Sequence, residues 1–136
     1  MAGIEDKLRS IKDFHKAAVF DQEGKVLGAT FETDAAEIKE FLRAWDDRDT
    51  TVGKGLVFGA NHFDVHRWYD RLVYGRRGDA ERGEGICLCR TKTTGDQYVY
   101  AVITYVFPTI SARAIPILTA FADENRKFLV LLSLTR

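Results

Sequence analysis

Apolar residues near the N-terminus recur at helical spacing. Ile4, Leu8, Ile11 and Phe14 are three or four positions apart, with charged residues between them. A helix with 3.6 residues per turn brings such positions onto one side. The pattern therefore predicts an amphipathic helix over residues 3–13.

A hairpin and a second helix are predicted next. Two apolar runs flank residues 21–24, whose sequence DQEG is typical of a turn between strands. Residues 33–45 return to helical spacing, with Thr33 or Asp34 as the N-cap and Glu37 at the capping-box position after Asp34. The polar sequence DDRDTTVG that follows predicts a linker. The apolar stripe of this helix consists of Ile38, Phe41, Leu42 and Trp45.

The pattern changes at Gly55. Short runs rich in Val, Ile, Tyr and Phe follow, with turn residues at 59–61, in the glycine-rich stretch at 73–85 and at 94–96. The runs are GLVFG, HFDVHRWY, RLVYG, GICLCRT and QYVYAVITYV. This alternation predicts an antiparallel meander of five strands.

The C-terminal region is predicted to be helical. Proline suits the first turn of a helix, where its missing N–H costs nothing, so we expect Pro116 to begin a helix at about 116–133 after a loop over 107–115. The apolar positions on one side of this helix are Ile117, Phe121, Phe128, Leu129 and Leu132. Both terminal helices must bury their apolar stripes on the sheet, and they can lie side by side on one face. The predicted fold class is α+β, in a single domain over residues 1–136. We expect a central antiparallel sheet with the terminal helices on one face and a short helix on the other.

Composition and charge restrict the function. The chain has 20 basic and 20 acidic side chains, and this zero net charge argues against a nucleic-acid-binding protein. The N-terminal residues are charged throughout and the longest apolar run, FLVLLSL, is too short to span a bilayer. Two cysteines only two positions apart do not form a disulfide framework. We therefore expect a cytoplasmic protein without a transmembrane segment.

Candidate catalytic groups are few. His62 and His66 share a strand face with Asp64 but are ~13 Å apart along it, too far for one metal ion, so an exposed polar face is the favoured interpretation. Cys87 and Cys89 lack the second pair that a zinc site needs and are predicted to be buried thiols. Motifs of phosphate-binding loops, serine hydrolases and zinc proteases do not occur in the sequence. We expect no enzyme activity, no cofactor and no bound metal.

Cations are concentrated along the meander. Arg90 and Lys92 have the same strand parity as Ile86 and Leu88, so one face passes from apolar to basic. Such a face suits a partner with an apolar centre and an acidic rim, although a solvated surface is also compatible with it. The cluster consists of Arg67, Arg71, Arg76, Arg77, Arg82, Arg90 and Lys92.

Four segments in this order resemble the profilin family. AAVFDQEGKVLGA is similar to the profilin N-terminal hairpin, KGLVFGANHFDV to its TGL-x-LGG-x-KY stretch, RLVYGRRG to AVIRGKKG, and CRTKTTG to RTKSTGG. The predicted order of elements is also the profilin order. The combination resembles divergent profilins such as those of Asgard archaea.

The resemblance implies a cytoskeletal protein that binds monomeric actin one to one and regulates its polymerisation. It assigns actin contacts to the KY-type strand, to the basic strand ends and to the start of the last helix. If Pro116 begins that helix, Glu124 matches the family's helix glutamate and Ala120 replaces an asparagine; the sequence TISARA departs from the family pattern. The implied actin-binding residues are His62, Asp64, Val65, Arg67, Arg76, Arg77, Arg90, Lys92, Ala120 and Glu124.

The family also binds phosphoinositides and polyproline, and the residues at these two sites match the family pattern less well. Phosphoinositides would bind Arg76, Arg77, Arg90 and Lys92. The polyproline groove is degenerate because aromatic positions are replaced, and we expect weak or absent polyproline binding. The residues at its positions are Ile4, Lys7, Leu27, Leu129 and Leu132.

Two alternatives to an actin regulator remain at this stage. A profilin-like module could bind anionic phospholipid through the same arginines. A small-GTPase regulatory platform of the roadblock or longin type also has a helix-flanked antiparallel sheet.

Overall fold

Seven strands form one antiparallel sheet in the computed structural model, which describes residues 3–79, 82–93 and 96–134. The order across the sheet is β2-β1-β7-β6-β5-β4-β3, so the predicted hairpin and the predicted meander are confirmed. Asn61, expected in a turn, begins a strand instead. Two residues of the turn predicted at 94–96, Thr94 and Gly95, lie outside the described residues. The strands are β1 Lys16–Asp21, β2 Val26–Ala29, β3 Leu56–Phe58, β4 Asn61–Trp68, β5 Leu72–Arg77, β6 Glu84–Lys92 and β7 Tyr98–Val106.

Helices cover both faces of the sheet. α1 (Ile4–Arg9), α4 (Ser111–Glu124) and α5 (Arg126–Leu134) pack on the face that carries Cys87 and Cys89, called here the α4 face. α2 (Ala35–Leu42) packs on the opposite face, which carries Ile86 and Leu88 and is called the α2 face. The expectation that the terminal helices share one face and a short helix covers the other is confirmed. No helix among the described residues is long and apolar enough to cross a membrane.

The second helix starts where the sequence indicates. The Asp34 side chain accepts hydrogen bonds from the backbone N–H groups of Ala36 and Glu37, which identifies it as the N-cap. Glu37 does not close a capping box. Its carboxylate instead accepts from the N–H groups of Gly59 and Ala60, at 2.9 and 2.8 Å, and so ties α2 to the β3–β4 turn.

The prediction of a linker after α2 is wrong. Its residues form most of a short helix, α3 (Arg48–Lys54), and α2 itself ends at Leu42 rather than at residue 45. Asp47 is the N-cap, with its carboxylate accepting from the backbone N–H and the hydroxyl of Thr50. The hydroxyl of Thr51 donates to the Ala44 carbonyl at 2.8 Å and holds α3 beside α2.

The predicted terminal helix is also wrong in its bounds. α4 begins at Ser111, so residues 111–115 are helical rather than part of a loop, and Pro116 lies inside the helix. The helical region is divided at Asn125, whose side chain and backbone N–H groups both donate to the Phe121 carbonyl. At the other end of the chain, α1 ends at Arg9, four residues before the predicted end.

Candidate partner-binding surface

The ten predicted actin-binding residues lie on both faces of the sheet. Asp64 is opposite Arg76, and Arg67 is opposite Tyr74, which packs against the core of the α4 face. A bulge between Val65 and Arg67 returns Arg67 to that face. The residues on the α4 face are His62, Asp64, Arg67 and Arg76, with Ala120 and Glu124 exposed on α4 itself. Val65, Arg77, Arg90 and Lys92 have the parity of the α2 face.

Side-chain hydrogen bonds near both ends of α4 hold this helix on the sheet. The Tyr105 hydroxyl and the Ser111 hydroxyl are 2.6 Å apart at the start of the helix. Near its end, Asp123 accepts a hydrogen bond from Arg71 at 2.6 Å. α4 therefore runs over β6 and β7 rather than over β4, which contacts α3, and the α4-face side chains of β4 remain exposed.

The uncovered region beside α4 has an apolar part as well as charges. Val57 is 43% exposed and pairs with His62 across β3 and β4. Tyr69 is 52% exposed, and its ring centroid is 6.2 Å from that of Tyr74. Burial, together with Tyr69, raises the pKa of the Tyr74 hydroxyl. The name α4–β4 surface is used below for Val57, His62, Asp64, Arg67, Tyr69, Tyr74, Arg76, Ala120 and Glu124.

The prediction of an exposed polar face around His62 is confirmed. His62, Asp64 and His66 are all exposed, and the Nδ1 atom of His62 is 3.9 Å from the nearest Asp64 oxygen. The Nε2 atom of His62 lies 2.8 Å from the Lys54 carbonyl and fixes the ring against the end of α3. No group of three metal-ligating side chains occurs within the described residues.

An exposed apolar segment connects β7 to α4. Val106, Phe107 and Ile110 are 39%, 56% and 55% exposed and are called the apolar tip. Burial raises the pKa of the neighbouring Tyr105 hydroxyl, while its contact with Ser111 and the charge of Arg76 act in the opposite direction. Arg76 is opposite Gly85, Gly85 is opposite Tyr105, and the Tyr105 ring lies against Gly85. Arg76 is therefore near the start of α4, and the apolar tip adjoins the α4–β4 surface.

Arg90 is enclosed rather than free for a partner. Its guanidinium carbon is 4.6 Å from the ring centroids of both Trp45 and Tyr98, and it donates to Asp70. Only 16% of its side chain is exposed. The strand parity predicted for Arg90 is correct, but the open basic surface expected there is not present at this residue.

The four predicted phosphoinositide ligands do not form one patch. Arg77 donates to Glu84, a carboxylate with only 4% of its side chain exposed, and lies 5.8 Å from the Phe63 ring on the α2 face. Arg76 is on the α4 face. Lys92 is exposed and lies 3.9 Å from Asp96. Together with the enclosed Arg90, these cations therefore lie on two faces of the sheet.

The residues at the degenerate polyproline positions belong mainly to the core. Ile4 and Leu129 are 2% and 1% exposed, and Leu27 and Leu132 are half-buried. The exposed Lys7 donates to Asn125 at 3.0 Å. These positions hold α1 and α5 on the sheet and provide no aromatic platform.

The two cysteines are free and buried, as predicted. Burial and the neighbouring thiol raise the pKa of Cys87 well above its ordinary value. Burial also raises the pKa of Cys89, although Arg71 and Thr91 act against it. Both thiols therefore remain protonated at neutral pH, unlike the thiolate of a nucleophile.

Sequence reasoning did not identify the exposed apolar residues of this region, which are Val57, Tyr69, Phe107 and Ile110. The match of Ala120 and Glu124 to the family pattern depends on a helix start at Pro116, whereas the helix starts at Ser111, next to the apolar tip. Phe107 and Ile110 lie outside the helix, as the predicted loop implies, but their exposure beside the helix start does not follow from the sequence pattern. Arg71 was identified only as a member of a basic cluster, and its bond to Asp123 requires the position of α4.

The Profilin family model matches residues 2–123 of this chain. The chain therefore belongs to the profilin family. Profilins as a family bind actin and are not enzymes. Comparison with curated protein sequences gives no match.

Solved profilin structures have the same fold. Schizosaccharomyces pombe profilin is 24% identical over 85% of this chain and 87% of its own, with a TM-score of 0.70. Acanthamoeba castellanii profilin II is 19% identical over 82% and 84%, with a TM-score of 0.68. LokiProfilin1 in its complex with rabbit actin is 11% identical over 92% of both chains, with a TM-score of 0.68. The low identities make this chain a divergent profilin.

Proposed function

We propose that this protein binds monomeric actin one to one in the cytoplasm and regulates actin polymerisation, without enzyme activity. The observation that carries the proposal is the match of the profilin family over residues 2–123. The shared fold with LokiProfilin1, crystallised with rabbit actin, supports it. The α4–β4 surface with the apolar tip is the proposed contact region.

The chemistry of this region supports a protein partner. Exposed apolar side chains lie at Val57, Tyr69 and Phe107, whereas the charges at Arg67 and Glu124 are exposed around them. Protein interfaces combine apolar contacts, enriched in aromatic residues, with a polar rim. Rim charges of both signs steer association and fix the orientation of the partner.

A charge reversal tests the region without disturbing the core. Arg67 is exposed, and its guanidinium donates to the neighbouring His66 carbonyl at 2.9 Å, so Arg67→Glu should leave the fold intact. We expect it to weaken binding to fluorescently labelled monomeric actin by roughly tenfold at low salt and less at high salt. Arg43→Glu is the control, because Arg43 is exposed at the end of α2 on the opposite face.

The possible results distinguish a wrong function from a wrong contact surface. Failure of the wild-type protein to bind actin monomers, including actin from its own source, or to alter spontaneous nucleation would reject the function. Binding that Arg43→Glu weakens and Arg67→Glu does not would keep the function but move the contact to the α2 face.

The alternatives are less well supported. Family membership favours actin over a small GTPase as the partner. A phospholipid function would need its four cations in one patch, and their division between two faces does not favour it. Polyproline binding stays predicted to be weak or absent.

A further inference from the structure

Arg90 is held firmly on the side of the sheet opposite the α4–β4 surface. Its guanidinium lies between Trp45 and Tyr98, 4.6 Å from each ring centroid. A cation between two aromatic faces and largely withdrawn from water is bound more strongly than an exposed one. Its side chain is 16% exposed, so it has little surface to offer a partner.

The hydrogen bonds of Arg90 are directed at the turn between β4 and β5, residues 69–71. The Nε and Nη2 atoms donate to the Asp70 carbonyl and carboxylate, at 2.7 and 2.9 Å. The backbone N–H of Arg90 donates to the Arg71 carbonyl at 3.0 Å. The Trp45 indole donates to the Tyr69 carbonyl at 2.8 Å. Three successive carbonyl groups of the turn therefore accept hydrogen bonds, two from Arg90 of β6 and one from Trp45, just after α2.

The same turn borders the proposed actin contact region. Tyr69 projects from it with 52% exposure, next to Tyr74. Arg71 extends from it to Asp123 near the end of α4, at 2.6 Å. A change in the turn would therefore move an exposed aromatic residue and the support of α4 together.

We propose that Arg90 is a positioning residue, which fixes the turn at residues 69–71 and thereby presents Tyr69 and the end of α4 to the partner. This inference rests on the proposed function. A contact residue that is ordered before binding avoids the entropy cost of being ordered at the interface. Arg90 thus strengthens binding through Asp70 without touching the partner.

The test compares Arg90→Gln with Arg43→Gln, a control that also removes one arginine charge. Affinity for monomeric actin is measured at low and high salt, and amide exchange is measured in the free proteins. We expect Arg90→Gln to weaken binding by roughly fivefold at both salt concentrations. Exchange should become faster at the Tyr69 and Arg90 amides, which donate to the Leu72 and Arg71 carbonyls.

Two further variants separate positioning from loss of folding and from direct contact. Arg90→Lys keeps a cation between the rings but cannot reproduce the paired hydrogen bonds from Nε and Nη2 to Asp70, so it should restore only part of the affinity. A direct contact that needs only the positive charge would instead be restored fully. Asp70→Asn should weaken binding as well, and its combination with Arg90→Gln should cost no more than Arg90→Gln alone.

The proposal would be overturned by unchanged affinity in a variant whose turn exchanges faster. It would equally be overturned by a loss of affinity that disappears at high salt and adds to that of Asp70→Asn, because this behaviour indicates a direct contact. Failure of the wild-type protein to bind actin would reject the proposed function but not the role of Arg90. Unchanged amide exchange at Tyr69 and Arg90 in the Arg90→Gln variant would overturn the role of Arg90 in holding the turn, whether or not actin binds.

Discussion

Truncation of Phe107 should remove binding energy without loss of stability. A fully buried phenylalanine side chain removes roughly 200 Å² from water. Phe107 is 56% exposed, so about 110 Å² remains available to a partner. At about 25 cal/mol per Å² this area corresponds to at most ~2.8 kcal/mol, or about a hundredfold in Kd. Incomplete burial at an interface lowers the value, and we expect Phe107→Ala to weaken actin binding by roughly ten- to a hundredfold.

The assay is a titration of fluorescently labelled actin monomers, with urea unfolding in parallel. The free energy of unfolding should stay within about 0.5 kcal/mol of the wild type, because truncation of an exposed side chain creates no cavity. Leu134→Ala is the control: Leu134 is 76% exposed on α5, away from the contact region. Equal affinities of wild type, Phe107→Ala and Leu134→Ala would refute the assignment of the apolar tip to the interface.

Three other predictions concern the sheet, the thiols and polyproline. Gly75→Ala should destabilise the fold by about 3 kcal/mol or more, measured by urea unfolding, because a Cβ atom there would collide with the backbone of Asp64 on β4. Burial raises the folded-state pKa values of Cys87 and Cys89. Keeping these thiols protonated therefore stabilises the fold fully at any pH below the unfolded-state pKa of about 8.5, and this stabilisation is lost as the pH rises above that value. The thermal midpoint of the wild type should therefore fall more steeply between about pH 8.5 and 10 than that of a variant with both cysteines changed to alanine; parallel curves would contradict this. A polyproline peptide should give a weak signal or none, and saturable binding that substitution of the exposed Lys7 (Lys7→Ala) weakens would show that a groove exists.

Strand elements were predictable because they follow from local pattern. Alternation in β6 correctly placed Cys87 and Arg90 on opposite faces, and the DQEG turn correctly located the first hairpin. Helix α3 was missed because it is short and polar, and because its N-cap, Asp47, is not followed three residues later by the Glu or Gln of a capping box. Pro116 favours a helix start in the sequence, yet α4 begins five residues earlier and continues through it.

The site was less predictable than the fold because it depends on contacts between distant segments. The sequence indicates that Arg90 lies on the same face as Ile86 and Leu88, but not that Trp45 and Tyr98 enclose it. Likewise, the bond between Arg71 and Asp123 joins residues 52 positions apart. Parity assigns a side chain to a face, whereas exposure depends on which helix covers that face.

The central claim is tested most directly by a binding isotherm between this protein and monomeric actin from its own source. We expect saturation at one chain per actin monomer, with Arg67→Glu binding more weakly than Arg43→Glu. Absence of saturable binding up to about 100 μM protein would contradict the account.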